Sequence, residues 1–294
     1  MKKKLVKLFE ISVSIGITAG FLYLFYAVIG FEKFAQFFRQ INPVNVIVAF
    51  FLYFLSYITR TLRWKLTLSI KDFRKLFRIT AFNTVFNIFL PFRTGELSFF
   101  YMLKKENIPF SESAITFFTV RIFDAISLFS VFGAALLFLK GFYLYAFLLI
   151  IVMPISAVIL KHLSSVINYK KLEEFKKSKL SLRNITVLYG LSVLTFFLKF
   201  SSFYLVLPAG IDLGFVRAFF AASAGDVTTI LPIHGIAGIG TYEGGYAGVL
   251  ILLGIDKERA LLASVFVHIF MLTGAAVIAA LAYLLKPIYF QKPD

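Results

Sequence analysis

Asn87-Ile88-Phe89-Leu90-Pro91-Phe92-Arg93-Thr94-Gly95-Glu96 breaks an apolar run that extends over residues 76–103. Pro91 lacks the amide proton that a continuing helix needs, and Gly95 permits a turn without a Cβ clash. The break leaves two arms of about 14 residues each, short of the roughly 20 that cross a bilayer. Two short arms around such a break fit a re-entrant hairpin better than two spans. A second stretch repeats the pattern: Leu231-Pro232-Ile233-His234-Gly235-Ile236-Ala237-Gly238-Ile239-Gly240-Thr241-Tyr242-Glu243 separates short apolar arms at 215–231 and 241–253. In each, an apolar arm meets Leu-Pro, then a glycine-containing turn, then a Glu at the start of the next arm.

Outward from these breaks, the sequence reads as full spans at 8–31, 44–62, 114–139, 142–160, 185–207 and 261–285. The first follows a Lys-rich leader, and its apolar run is too long for a signal-peptide core and lacks a small-x-small cleavage site, so it is expected to be retained. The most polar stretch, 161–183, reads as a loop holding a short surface helix. Divided near residue 140, the two halves, 1–140 and 141–294, share one order of span, span, hairpin, span. The first half starts on one side of the membrane and the second on the other. The expected fold is therefore a single all-α integral membrane domain, six full spans plus two re-entrant helical hairpins in an inverted-topology repeat. Interrupted hydrophobic segments at matching positions of two such halves point to a transport site.

Composition supports this. The 294 residues are 60% hydrophobic and 16% charged, whereas soluble domains are about half apolar and about a quarter charged. The absence of cysteine excludes disulfide and thiolate chemistry, and three scattered histidines (His162, His234, His268) offer no metal-ligand spacing. No metal or other cofactor is expected. The net charge of +16 raises nucleic acid as a partner, but its distribution argues against one. With the N-terminus in the cytoplasm, the inside segments hold 21 Lys and Arg against seven acids, and the outside segments hold six against four. The excess thus obeys the positive-inside rule in one orientation, with both termini cytoplasmic.

Subtracting the loops leaves eight charges at membrane depth: Arg60, Arg93, Glu96, Arg121, Asp124, Lys199, Asp226 and Glu243. Each costs at least ~2.5–3.5 kcal/mol to insert, so such groups are paired or face a polar cavity. Arg121 and Asp124, three apart on one helix, can pair directly. Arg93 and Glu96 flank the first break. Asp226 and Glu243 have no local basic neighbour, which leaves Arg60, Arg93 and Lys199 as partners. Glu96 and Glu243 fall near helix N-termini, where a carboxylate is favoured, and Arg93 beside those N–H groups suits an anionic headgroup. Asn83 and Asn87 share one face of the first arm. Arg60, Arg63 and Trp64 fall at a predicted interface, where Arg snorkels and Trp anchors. His234 and His268 read as core residues. The expected substrate-binding set is Arg60, Asn87, Arg93, Glu96, Arg121, Asp124, Lys199, Asp226 and Glu243, with no catalytic residues.

These residues also carry a resemblance. Arg60-Thr61-Leu62-Arg63-Trp64, the Asn87–Glu96 stretch quoted above, Arg121-Ile122-Phe123-Asp124, and Leu231-Pro232 through Gly238-Ile239-Gly240-Thr241-Tyr242-Glu243 resemble, in order, the transmembrane domain of lysylphosphatidylglycerol synthases, a family of flippase-like membrane proteins. The His234-Gly235-Ile236-Ala237 turn departs from the shorter, more Gly/Pro-rich turn of that pattern. The resemblance implies movement between leaflets of lipids such as aminoacylated phosphatidylglycerol or polyprenyl-phosphate-linked sugars. With the charges at depth and the paired breaks, the expected substrate is an anionic phospholipid or a polyprenyl-phosphate-linked (glyco)lipid in the cell membrane, and a lipid-synthesising enzyme is an expected partner. In the two-part synthases a separate soluble domain transfers the aminoacyl group. Only nine residues follow Leu285, so this chain is expected to carry no such domain and not to be an enzyme. The competing expectation is an integral membrane transferase, glycosyl or aminoacyl, using paired carboxylates for acid–base chemistry. Against it stands the lack of a nucleotide loop, metal cluster or nucleophile constellation.

Overall fold

Helix ends in this chain are written in short polar signals between long apolar runs. Asn42 precedes Pro43 and its side chain accepts the Val44 N–H at 2.9 Å, opening the helix Pro43–Thr67. Asp72 accepts the Arg74 N–H at 2.8 Å to open Phe73–Phe89, Ser181 accepts the Asn184 N–H at 3.2 Å to open Leu182–Leu205, and Asp256 accepts the Arg259 N–H at 2.9 Å to open Lys257–Leu284. Each cap satisfies an amide that the first helical turn leaves unpaired.

The computed structural model describes residues 2–90, 94–164, 169–229 and 235–285, with side chains from Ser12 onward. The helices are α1 (Lys2–Val28), α2 (Gly30–Phe38), α3 (Pro43–Thr67), α4 (Phe73–Phe89), α5 (Glu96–Lys105), α6 (Phe110–Leu139), α7 (Tyr143–Val152), α8 (Pro154–Leu163), α9 (Lys170–Lys179), α10 (Leu182–Leu205), α11 (Phe215–Thr228), α12 (Thr241–Leu252) and α13 (Lys257–Leu284), with no strand among the described residues. This is an all-α membrane protein. Five segments are long and apolar enough to cross a bilayer: α3, α6, α7 together with α8, α10 and α13. A sixth exists if α1 and α2 form one span; they meet at a bend of 80°. The expected span at 8–31 therefore ends in a sharp turn at Ile29 and Gly30, whose φ of +71° suits glycine.

The expected surface helix in 161–183 is α9. Its Phe175, with Leu180, packs on Ile185, Leu188 and Phe123, which ties the basic segment to α6 and α10. The α7–α8 segment has a mean hydropathy of 2.5, yet only 11% of it is buried inside the molecule, the signature of a face turned to lipid.

At the centre α3 packs along α10, with Thr59 and Thr195 hydroxyls 2.7 Å apart at the crossing. Around them lie two antiparallel helical hairpins. In the first, the end of α4 touches the start of α5, and the start of α4 meets the end of α5 through Lys75 Nζ and Glu106 Oε2 at 2.7 Å. A Cβ on Gly95 would stand 2.3 Å from the Phe86 carbonyl carbon, so only glycine lets α5 begin this close to α4. In the second hairpin, the Thr228 hydroxyl at the end of α11 donates to the Thr241 carbonyl at the start of α12, 3.0 Å away. The arms, 17 and 10 residues in the first and 14 and 12 in the second, are all shorter than a span.

One arm of each hairpin packs on a long helix remote in sequence: α4 packs on α13 and α11 packs on α6. Aromatic side chains fill the resulting core. Tyr53, Tyr57, Phe200, Phe203, Tyr242 and Tyr246 are all buried in one cluster, and Trp64, Phe99 and Phe117 form a second under the first hairpin. Trp64 is 5% exposed, with its ring 4.6 Å from that of Phe99. It is not the interface anchor the sequence suggested, because α3 continues five residues beyond the expected end and carries Trp64 under α5.

Candidate functional site

The same extension takes Arg63, expected at an interface just past the span, into the helix, where its side chain is 1% exposed. Burial of that guanidinium is offset at Nη1, which donates to both Asp124 Oδ1 on α6 and the Ser192 hydroxyl on α10, the latter at 2.7 Å. Its Nε is buried without a hydrogen-bond partner among the described residues. Arg63 is thus a ninth charge at membrane depth, not a snorkelling residue.

Six of the eight charged residues expected at depth, Arg60, Glu96, Arg121, Asp124, Lys199 and Asp226, line one cavity of about 420 Å³. Nearly every central element contributes to its wall: α3 through Tyr53, Arg60 and Arg63; α4 through Asn83, Thr84 and Asn87; α5 through Glu96; α6 through Arg121 and Asp124; α10 through Lys199; and α11 through Asp226. Gly235, Ala237 and Gly238 of the second break, with Tyr242 and His268, line the same cavity as Leu90 and Glu96 beside the first. The two breaks therefore face the same space.

Four pairs account for the four carboxylates. Arg63 meets Asp124. Arg121 Nη2 lies 3.1 Å from Glu96 Oε1, while its Nη1 lies 3.7 Å from Asp124, so the pairing expected within one helix exists but is the longer contact. Phe117 lies beneath the Arg121 guanidinium at 5.0 Å. Lys199 Nζ lies 2.6 Å from Asp226 Oδ2, with the two side chains 12% and 9% exposed. Glu243 Oε1 lies 2.6 Å from His268 Nδ1, with exposures of 4% and 2%. Lys199 was among the expected partners of Asp226; the partner of Glu243 is none of those expected.

Arg60 falls outside these pairs. Its Nη1 donates to the Thr84 hydroxyl at 3.3 Å, and its Cζ stands 5.8 Å from the Tyr57 ring centroid. Its Nε is buried without a hydrogen-bond partner among the described residues, and none of the described carboxylates pairs with it. Beside it, Asn87 donates to the Asn83 carbonyl oxygen at 3.2 Å, which leaves the Asn87 Oδ1 buried and unpartnered. The wall thus carries Arg60, Arg63, Arg121 and Lys199 against Glu96, Asp124 and Asp226, one positive charge in excess among the described residues. A guanidinium with free donors in a polar recess binds an oxyanion well.

The chain's second break is built on Glu243. Its Oε2 accepts the Gly240 N–H at 2.7 Å at the first turn of α12, and Gly240 has φ +87°. Ala237 takes the left-handed conformation at φ 53°, which costs roughly 1–2 kcal/mol for a residue with a Cβ, and its carbonyl lies 3.0 Å from His268 Nε2. His268 clamps the turn from both sides.

A family model described as the lysylphosphatidylglycerol synthase TM region matches residues 11–279. The chain belongs to that family. Searches of the curated proteins and of the solved structures found no match. In this member of the lysylphosphatidylglycerol synthase TM family, a multi-pass membrane protein, the cavity is where the residues of the quoted motifs converge.

Of the nine expected site residues, eight line the cavity or pair with a residue that does: Arg60, Asn87, Glu96, Arg121, Asp124, Lys199, Asp226 and Glu243. Arg93 and His234 lie outside the described residues. Arg63 and His268 were missed. Arg63 stands three residues after Arg60 on one helix face, and His268 follows Glu243 at the same 25-residue spacing by which Arg121 follows Glu96. Both signals are in the sequence. Among the described residues no cluster of His, Cys, Asp and Glu could hold a metal ion.

Proposed function

We propose that this chain moves a lipid with an anionic headgroup, an anionic phospholipid or a polyprenyl-phosphate-linked (glyco)lipid, between the leaflets of the cell membrane. The observation that carries the reading is Arg60: an intramembrane guanidinium without a described carboxylate partner, facing a cavity whose other cations are matched. Arg60 takes the headgroup phosphate, Asn87 and Thr84 orient it, and the tail stays in the bilayer. The cavity volume falls in the range of about 300–1,000 Å³ typical of ligand pockets.

The proposal includes an inverted-topology repeat of halves 1–140 and 141–294, in which α4–α5 and α11–α12 are re-entrant hairpins and both termini are cytoplasmic. Three observations support it. Arg121 on α6 pairs with Glu96 on α5, and His268 on α13 pairs with Glu243 on α12, in each case across 25 residues. The packing of α4 on α13 is matched by that of α11 on α6. The Thr59–Thr195 contact relates α3 to α10 by the 136-residue offset that also relates Arg63 to Lys199. Such repeats let one half rock against the other around a central site. The chain itself is not an enzyme under this reading, and a lipid-synthesising enzyme supplies its substrate.

The test is translocation of labelled phosphatidylglycerol and of a labelled polyprenyl phosphate in proteoliposomes. Arg60→Ala is expected to slow translocation at least tenfold, with Arg60→Lys between it and the unaltered protein. Equal rates for Arg60→Ala and the parent would defeat the assignment. Formation of a new lipid product by the purified protein alone would favour the transferase instead.

A further inference from the structure

Of the four intramembrane pairs, three are made by Arg or Lys and one by histidine, the side chain whose charge changes near neutral pH. His268 occupies the place in the second half that Arg121 occupies in the first, with each 25 residues beyond its glutamate. The two latches are thus built alike, but one has a permanent cation and the other a removable proton.

The hydrogen-bond geometry fixes how many protons the second latch holds. The Ala237 carbonyl can only accept, so His268 Nε2, 3.0 Å away, carries a hydrogen. Between His268 Nδ1 and Glu243 Oε1, 2.6 Å apart, one further proton is required, since without it two lone pairs oppose each other. Glu243 Oε2 is occupied by the Gly240 N–H. The pair therefore holds one exchangeable proton, as imidazolium and carboxylate or as imidazole and carboxylic acid, and is neutral in both forms. Loss of that proton leaves a carboxylate facing a neutral imidazole and a net charge of −1.

The surroundings offer no substitute for it. On α12 the Tyr242 ring lies 5.0 Å from His268, and Tyr246 is buried one turn on. On α11 Asp226 is engaged by Lys199 of α10, α3 presents Tyr53, and α4 presents the amides Asn83 and Asn87. The described α1 residues against the break are Ile17, Thr18 and Phe21. His268 also lines the cavity that Arg60 faces.

We infer that the Glu243–His268 pair is a proton-binding site coupled to the anion site, so that one proton travels with each singly charged headgroup. The inference rests on the transport reading above. An anion in the cavity favours the neutral, protonated pair over the negative one, and by reciprocity the protonated pair favours the anion. When the proton leaves, the neutral imidazole keeps a single hydrogen for two acceptors, Glu243 and the Ala237 carbonyl, so one of the two contacts by which His268 holds the second break is lost. One proton plus one monoanion is electroneutral, so the cycle responds to a pH gradient and not to voltage.

The experiment uses phosphatidylcholine vesicles containing the full chain, with labelled phosphatidylglycerol or a labelled polyprenyl-phosphate-linked sugar, both phosphodiester monoanions, and with the voltage clamped by potassium and valinomycin. The readout is the steady-state ratio of label in the two leaflets. One-for-one coupling shifts that ratio about tenfold for each unit of pH difference. Glu243→Gln and His268→Gln, either of which suffices if the other fails to fold, are expected to bring the ratio back to that of vesicles without a gradient. Label that crosses but ignores the gradient in the unaltered protein overturns the proton site and leaves the transporter standing. A variant ratio that still follows the gradient overturns it as well. If neither lipid crosses faster than in empty vesicles, the transport reading fails and the proton site fails with it.

Discussion

Replacing Asp226 with Asn removes one charge and almost no volume, which makes it a clean probe of the buried Lys199–Asp226 pair. At 2.6 Å and an effective dielectric of about 20, the Coulomb attraction is about 6 kcal/mol, most of it set against the desolvation of both ions. Removing one partner leaves the other charge uncompensated, at a typical cost of about 3–5 kcal/mol. The lower end applies here, about 3 kcal/mol, because both side chains border the cavity and the asparagine oxygen still accepts from Lys199. The rings of Phe200 and Phe203, 5.8 and 5.6 Å from Nζ, offset little of a full charge. A second variant, Lys199→Met with Asp226→Leu, removes both charges and is expected to lie within about 1 kcal/mol of the parent. The assay is unfolding in mixed micelles of rising SDS fraction, followed through Trp64, the single tryptophan and a buried one. A loss below about 1 kcal/mol for Asp226→Asn would show that the pair acts as a solvated surface bridge and refute the argument.

Gly95→Ala places a Cβ 2.3 Å from backbone and is expected to destabilise by about 1–3 kcal/mol or more, whereas Gly244→Ala, with open space around its Cβ in α12, gains roughly 0.5–1 kcal/mol; the same micelle unfolding series reads both. Arg63→Lys keeps the charge, but its ammonium ends one bond short of the place of Nη1 and does not reach Asp124 and Ser192 together, so a loss of about 1.5–3 kcal/mol, one hydrogen bond to a charged group, is expected. An unchanged Arg63→Lys midpoint would mean that the Ser192 contact contributes nothing.

The helices, the two breaks and most of the charges at depth were legible because hydropathy, proline and glycine act over a few residues. Glycine at position 95 and Pro91 marked the first break without any knowledge of neighbours. The end of α3 was misread because Arg63 and Trp64, read alone, belong at a membrane interface. Their burial depends on α5, α6 and α10 arriving to cover them. Likewise Arg121 and Asp124 are neighbours by helical period, yet each has its closer partner on another element, Glu96 on α5 and Arg63 on α3.

What the sequence alone determined is that this chain is a helical membrane protein with interrupted segments and a charged interior, since each of those is a local property of composition and period. What only the tertiary structure decided is which charges cancel. Arg63 reaches Asp124 across 61 residues and Ser192 across 129, and Lys199 finds Asp226 on the next helix. Pairing at depth is settled by distance in a medium of low dielectric, and distance follows from how α3, α6, α10 and the two hairpins pack. That packing leaves Arg60 facing the cavity without a described carboxylate, and gives Glu243 a histidine where Glu96 has an arginine.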